Sequence, residues 1–112
     1  MYTATIYKDR ANGFILLLKK DNVLLTSEEM AVITKYEIKY KDVYYDSDTY
    51  PDSFVADNNA ASVTVKPEPF GLLASSKKGD TVELIIYDDA DNVAGLVWGQ
   101  FTLIVKPDAS IV

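Results

Sequence analysis

Three aspartates and an asparagine interrupt two apolar runs in "LIIYDDADNVAGLVW", residues 84–98. Oxygen-bearing side chains this dense raise calcium first. A loop of the EF-hand kind needs ligands at alternate positions, a glycine at the sixth and a glutamate at the twelfth, so that all converge on one ion. Starting at Asp89 the series runs Asp89, Asp91, Val93, and the third ligand fails. Starting at Asp88 puts Ala90 second, with no closing glutamate in range. Asp and Asn also bond back to their own backbone and tolerate positive φ, so the stretch reads as the bend of a hairpin. The acidic loop 46–59 gives the same answer: in "DSDTYPD", Asp46 and Asp48 are followed by Tyr50 where another oxygen is needed. With Asp52 and Asp57 it reads as a solvated loop and a candidate contact surface, with a calcium site as the alternative.

Catalytic chemistry is harder still to assemble. Paired carboxylates for glycoside hydrolysis must face each other across a cleft. The acids here fall in loops and on alternating strand positions, with no spacing that selects a pair. The chain has neither histidine nor cysteine. That removes the usual proton shuttle near neutral pH, thiolate chemistry, disulfides and zinc sites of the Cys/His type. Ser75 and Lys78 have the S-x-x-K spacing of a serine–lysine nucleophile, but two fixed positions recur by chance, and Lys77 and Gly79 beside them suggest a surface turn. No glycine-rich phosphate loop occurs. The expectation is no catalytic residue, no metal ligand and no cofactor.

The elements that carry these residues read as short apolar segments between turn signals. "YTATIY" (2–7) is a first strand, and "FILLLKK" and "VLL" form a hairpin or one bent strand broken at Asp21-Asn22. Thr26 with Glu29 three positions on is a capping box, predicting one helical turn at most around Ser27 to Met30. From residue 34 Tyr36, Ile38 and Tyr40 alternate with Lys35, Glu37, Lys39 and Lys41, and period two predicts a strand from about 32 to 40. Lys41-Asp42 turns into "VYYDS", "ASVTVK" follows the acidic loop, and "TVELIIY" and "LVWGQFTLIVK" make a closing hairpin. About seven or eight such strands in one chain predict an all-β fold, an antiparallel β-sandwich. Residues 1–112 read as a single domain, with an N-terminal strand and turn at 1–12 and a loose tail at 107–112.

The closing hairpin gives the one candidate interface. With Ile85 set opposite Trp98, Val82, Leu84 and Ile86 share a core face with Val97, Gly99 and Phe101, continued by Leu103 and Val105. The other face then carries Ile85, Tyr87, Leu96 and Trp98, more apolar than a solvated face requires. Trp and Tyr carry interface energy disproportionately, so these four residues are the candidate protein-contact patch. Two alternatives stand beside it: a neighbouring loop or strand covers Trp98, or Trp98 and Tyr87 stack on carbohydrate.

The 112 residues carry 17 acidic and 11 basic side chains, net charge −6. A surface of that sign repels nucleic-acid backbones and anionic lipid, so neither is an expected partner. The longest apolar run, Phe14 to Leu18, is too short for a signal-peptide core or a membrane span, which predicts cytoplasmic synthesis without classical export.

The stretches "FILLLKKDNVLL", "ITKYEIKYKD" and "GDTVELIIYDDADNVAGLVWGQFTLIVK" together resemble immunoglobulin-like modules of phage and prophage structural proteins, such as tail and baseplate components. The resemblance spans about positions 13 to 106 and rests on strand patterns, not on a signature motif. It implies an immunoglobulin-like, noncatalytic module that works by protein contacts or self-assembly and is virion-associated. The chain departs from antibody-type domains in lacking the cysteine pair and in carrying its only tryptophan on the last strand.

Overall fold

A computed structural model describes residues 2–7, 13–73, 78–88 and 96–106, the Leu96 side chain excepted. The hairpin bend at 89–92, Ser75 and the tail at 107–112 lie outside the described residues. The chain is all-β and sandwich-like: ten strands lie among the described residues, against the seven or eight expected. They are β1 (Thr3–Tyr7), β2 (Phe14–Leu17), β3 (Lys19–Lys20), β4 (Val23–Leu24), β5 (Ile33–Tyr40), β6 (Val43–Asp46), β7 (Phe54–Asp57), β8 (Ser62–Val65), β9 (Asp80–Asp88) and β10 (Leu96–Lys106).

One sheet has the order β1-β10-β9-β5-β6, a second has β2-β8-β7, and β3 and β4 form a small ribbon. Every pairing is antiparallel except β1 with β10, which is parallel and aligns Ala4 with Leu103 and Ile6 with Val105. The core lies between the two larger sheets. From the five-stranded sheet it takes Ile6, Tyr36, Ile38, Val82, Leu84 and Leu103; from the other, Phe14, Leu16, Phe54, Val63 and Val65. Period two delivers these side chains, since alternate residues of β1, β2 and most of β5 face inward.

Local chemistry sets the corners. Asp21 and Asn22 join β3 to β4 at φ 52° and 68°, and Lys41 and Asp42 join β5 to β6 at 51° and 63°. Paired positive φ makes a two-residue turn whose twist matches a hairpin. The capping box also forms: Thr26 Oγ1 accepts from the Glu29 amide at 3.1 Å, and Glu29 Oε1 accepts from the Thr26 amide at 3.0 Å. The resulting helix, α1, spans Ser27–Ala31 and buries Met30. Two 3-10 turns, Pro51–Ser53 and Glu68–Phe70, add to the single helical turn expected.

The segment 46–59 is not the continuous loop that its acids suggested. Pro51–Ser53 leads directly into β7, which buries Phe54 and pairs Val55 with Thr64 and Ala56 with Val63. Its acids hold turns. Asp46 Oδ1 accepts from the Thr49 amide at 2.7 Å, and Asp57 Oδ1 accepts from the Asn59 and Ala60 amides at 3.1 and 3.3 Å. The Thr49 amide bond is the main reason the Asp46 carboxyl stays below its ordinary value.

Candidate functional site

The outer face of the five-stranded sheet was the expected contact patch, and its geometry divides the four residues assigned to it. From Gly99 to Leu103 the register of β9 and β10 is the expected one, with Gly99 opposite Leu84 and Phe101 opposite Val82. Between Val97 and Gly99 it slips: Ile85 faces Val97, and Trp98 is the unpaired residue of a β-bulge. A bulge sets two residues against one and re-aims a side chain. Trp98 accordingly leaves the Ile85 row and packs against the inner core, lining a cleft with Leu16, Leu84 and Phe101. Val97 takes the outer position and is half exposed. Leu96 is in register with Ile86, and its side chain lies outside the described residues. The structure therefore separates Trp98 from Ile85 and Tyr87.

What stays on that face is a closed polar network. Tyr87 donates its hydroxyl to Glu37 Oε1 at 2.6 Å, and Lys35 Nζ sits 4.2 Å above the Tyr87 ring. Lys39 Nζ lies 3.9 Å from Glu83 and 3.8 Å from Asp42, while Lys41 Nζ lies 3.8 Å from Asp80. Asp80, at the start of β9, also accepts the hydroxyl of Tyr40, whose ring lies in the core and not on this outer face, at 3.2 Å. Ile85 is buried at 7% exposure, in register between Glu37 and Val97. Among the described residues every buried side-chain polar atom has a partner. A face so paired offers little unsatisfied surface.

Two tyrosines of this network resist ionisation. The bond to Glu37, then burial, then the Glu37 charge push the Tyr87 hydroxyl up to about 12. Burial first, then the Asp80 charge and hydrogen bond, push Tyr40 up to about 12. Freed phenols in the unfolded chain ionise near 10.0. Between those values the unfolded state has shed protons that the folded state keeps, so stability falls as pH rises. The contribution is complete below pH 10.0 and is lost as pH climbs toward about 12. Denaturant titrations across that window are expected to show this fall, flattened in the Tyr40→Phe/Tyr87→Phe double variant. Equal slopes in the two proteins would remove the tyrosines from the explanation.

Exposed apolar surface sits on the opposite sheet, which the sequence reading did not single out. On the outer face of β2-β8-β7, Ile15 aligns with Thr64 and Val55, and Leu17 with Ser62 and Asp57. Ile15, Leu17 and Val55 are 55%, 58% and 47% exposed. Single exposed hydrophobes are commonplace, but three on adjoining rows form a patch. Beside Ile15 opens a hollow of about 580 Å³, with Asp52, Lys66 and Glu68 in its wall. An apolar middle with a charged margin is the anatomy of a protein contact. The unbroken apolar run "FILLL" was the available signal, since a strand there must turn Ile15 and Leu17 away from Phe14 and Leu16. It cannot say that β2 lies at an edge, with Ile15 and Leu17 exposed among the described residues.

A second cleft, about 330 Å³, runs where β2 and β10 face each other, with Trp98, Tyr2, Leu17 and Lys19 in its wall. Among the described residues no group of three or more acids lies close enough to hold a metal ion, and no helix is long and apolar enough to cross a membrane. The expected bend at Asp88 to Asn92 and the Ser75–Lys78 pair cannot be placed, because Asp89 to Asn92 and Ser75 lie outside the described residues. No protein-family model matches the chain, and no curated protein matches it in sequence.

Proposed function

We propose that this chain is a noncatalytic, immunoglobulin-like module that acts through protein–protein contact, as a structural or adaptor part of a phage or prophage particle. The observation that carries the contact reading is the exposed row Ile15–Thr64–Val55 with Leu17 beside it, margined by Asp52, Lys66 and Glu68. Desolvating such a patch favours association, and its charged margin supplies specificity.

Strand order supports the immunoglobulin-like part. Variable-type immunoglobulin domains set strands B, E and D against G, F, C and C′. Here β2-β8-β7 faces β10-β9-β5-β6 with matching sequence order. The first strand departs from the constant-type scheme by running parallel to the last. The ribbon β3–β4 and α1 are an addition between the second and third equivalent strands. The phage assignment rests on the resemblance of the strand patterns.

The test is cross-linking in the native host, comparing the wild-type chain with a Leu17→Glu/Val55→Glu variant. Both side chains are exposed, so the fold is expected to tolerate the change within about 0.5 kcal/mol per site. The expected result is one or more defined partner proteins, particle components included, captured by the wild type and reduced at least about tenfold in the variant, as loss of interface anchors predicts. Undiminished capture by the variant would sink this surface as the contact. Glycan binding abolished by Trp98→Ala, with no protein captured, would replace the reading with a carbohydrate-binding one.

A further inference from the structure

Among the described residues, one edge of the five-stranded sheet is only partly covered. β1 covers β10 only from Thr102 to Lys106, and its ladder ends where Tyr2 O accepts the Thr102 amide at 2.9 Å. Upstream, among the described residues, β10 is paired with β9 alone. Along a strand the amide and carbonyl of each residue turn to alternate edges, so those of Gln100 point the same way as those of Thr102. No described strand lies there to receive them.

The space beside that edge is walled by Trp98, Tyr2, Leu16, Leu17 and Phe101, and among the described residues Lys19 is the single charged side chain in the wall. Gly99 opens it further. In register with Leu84 and through it with Ile38, Gly99 occupies an inward position, yet a Cβ there would meet nothing within 4 Å. A glycine inside a strand often marks a place where another backbone comes close. The residues 96–101, "LVWGQF", hold neither a charge nor a proline to repel an incoming strand.

We infer that the β10 edge at Gln100 accepts an extended segment of a partner protein as an added strand, in line with β1. An apolar side chain of that segment enters the space over Gly99, and a carboxylate meets Lys19. Backbone bonds to Gln100 set register, and the side-chain slot sets preference. The occupant is assigned by charge: among the described residues a cation is the one charged group in the wall of a slot on a chain of net charge −6, which matches an acidic, alternately apolar strand and disfavours a second acidic copy. This inference rests on the contact-module reading above and names the kind of segment the module takes.

The probe is a synthetic peptide of alternating valine and threonine with one glutamate, compared with its lysine twin and with a copy N-methylated at alternate amides. The readouts are Trp98 fluorescence and hydrogen exchange of the Gln100 amide in the full chain. The expected result is a Trp98 emission shift and protection of Gln100 by about tenfold or more, the range that distinguishes a closed from an open hydrogen bond. The glutamate peptide outcompetes its lysine twin, Lys19→Glu reverses that order, and the N-methylated copy fails. Gly99→Leu, whose Cβ meets nothing within 4 Å, narrows the slot and is expected to abolish the response while the circular dichroism stays unchanged. Protection of Phe14–Leu17 amides in place of Gln100, equal binding by the N-methylated copy, or no response at saturating peptide would overturn the inference. So would Gln100 protection that appears without peptide and vanishes on dilution, since that assigns the edge to a second copy. If these fail while a Val55→Glu variant, which leaves the slot wall untouched, still loses its cross-linked partner, the added strand falls and the contact module stands. If both fail, both fall.

Discussion

Replacing Phe70 with alanine is expected to lower stability by about 3–5 kcal/mol, the usual cost of deleting a buried aromatic ring. Phe70 closes a 3-10 turn whose following residue, Gly71, takes the left-handed conformation at φ 64°. It is 8% exposed and stacks on Tyr45 at 4.5 Å and 15°, meets Tyr50 edge-on at 4.8 Å, and lies 6.0 Å from Phe54. Tyr45 belongs to β6 and Phe54 to β7, the edge strands of the two sheets on the side away from β1 and β2. One ring therefore bridges both layers where no backbone bond does, and its three aromatic neighbours lose contact together. Ring pairs of this geometry add about 0.5–1.5 kcal/mol beyond burial. Urea denaturation monitored by circular dichroism measures the loss. Phe70→Leu is expected to recover part of it by refilling the volume. A Phe70→Ala cost below about 1 kcal/mol, within the range of ordinary surface changes, would show that the ring is not the clasp described.

Gly79→Ala is expected to cost about 2–4 kcal/mol, the sum of a left-handed backbone strain and local overpacking. At Gly79 φ is +75°, and a Cβ would stand 2.7 Å from the Leu103 carbonyl oxygen, 2.8 Å from Ile104 Cγ1 and 2.9 Å from Thr102 Cγ2. The carbonyl cannot retreat cheaply, because Leu103 is held between Ala4 of β1 and Asp80 of β9. Gly99→Ala is the control of opposite sign. Its Cβ meets nothing within 4 Å, so restricting the unfolded chain is expected to leave stability unchanged or raise it by about 0.4–1 kcal/mol. The same denaturation assay compares the two. Equal effects at both glycines would show that neither the crowding at β10 nor the opening beside it decides the outcome.

Much of the local structure was legible in the chain. The capping box at Thr26 and Glu29 forms as read, because both of its bonds span three residues. The turns at Asp21-Asn22 and Lys41-Asp42 form for the same reason: the short polar side chains of Asp21, Asn22 and Asp42, in two-residue connections, favour positive φ without reference to the rest of the molecule. Alternation in "KYEIKY" placed Tyr36, Ile38 and Tyr40 inward and Lys35, Glu37 and Lys39 outward. It failed at the start of that strand. A register shift between Ile33 and Lys35 turns Ile33 toward the core and leaves Val32 exposed as the cap of α1.

The candidate patch failed for a similar cause. "LVWGQF" alternates well enough to assign each side chain a face, but a bulge inserts one residue relative to the partner strand, and Trp98 changes sides. Strand β7 was hidden because its four residues alternate weakly and follow a run of aspartates that are themselves occupied in turns. Tyr87 looked like unclaimed aromatic surface, while Glu37 and Lys35, some fifty positions upstream, were already bound to it.

From its sequence alone, then, this protein had its strand periodicity, helix cap, hairpin turns and all-β class, since each depends on groups a few residues apart. The tertiary structure alone decided the parallel docking of β1 on β10, the bulge at Trp98, the pairing of Tyr87 with Glu37, and the exposure of Ile15 and Leu17 on β2 among the described residues. Those features depend on which strand lies beside which, and a side chain acquires an inside or an outside only once its neighbour across the sheet is fixed.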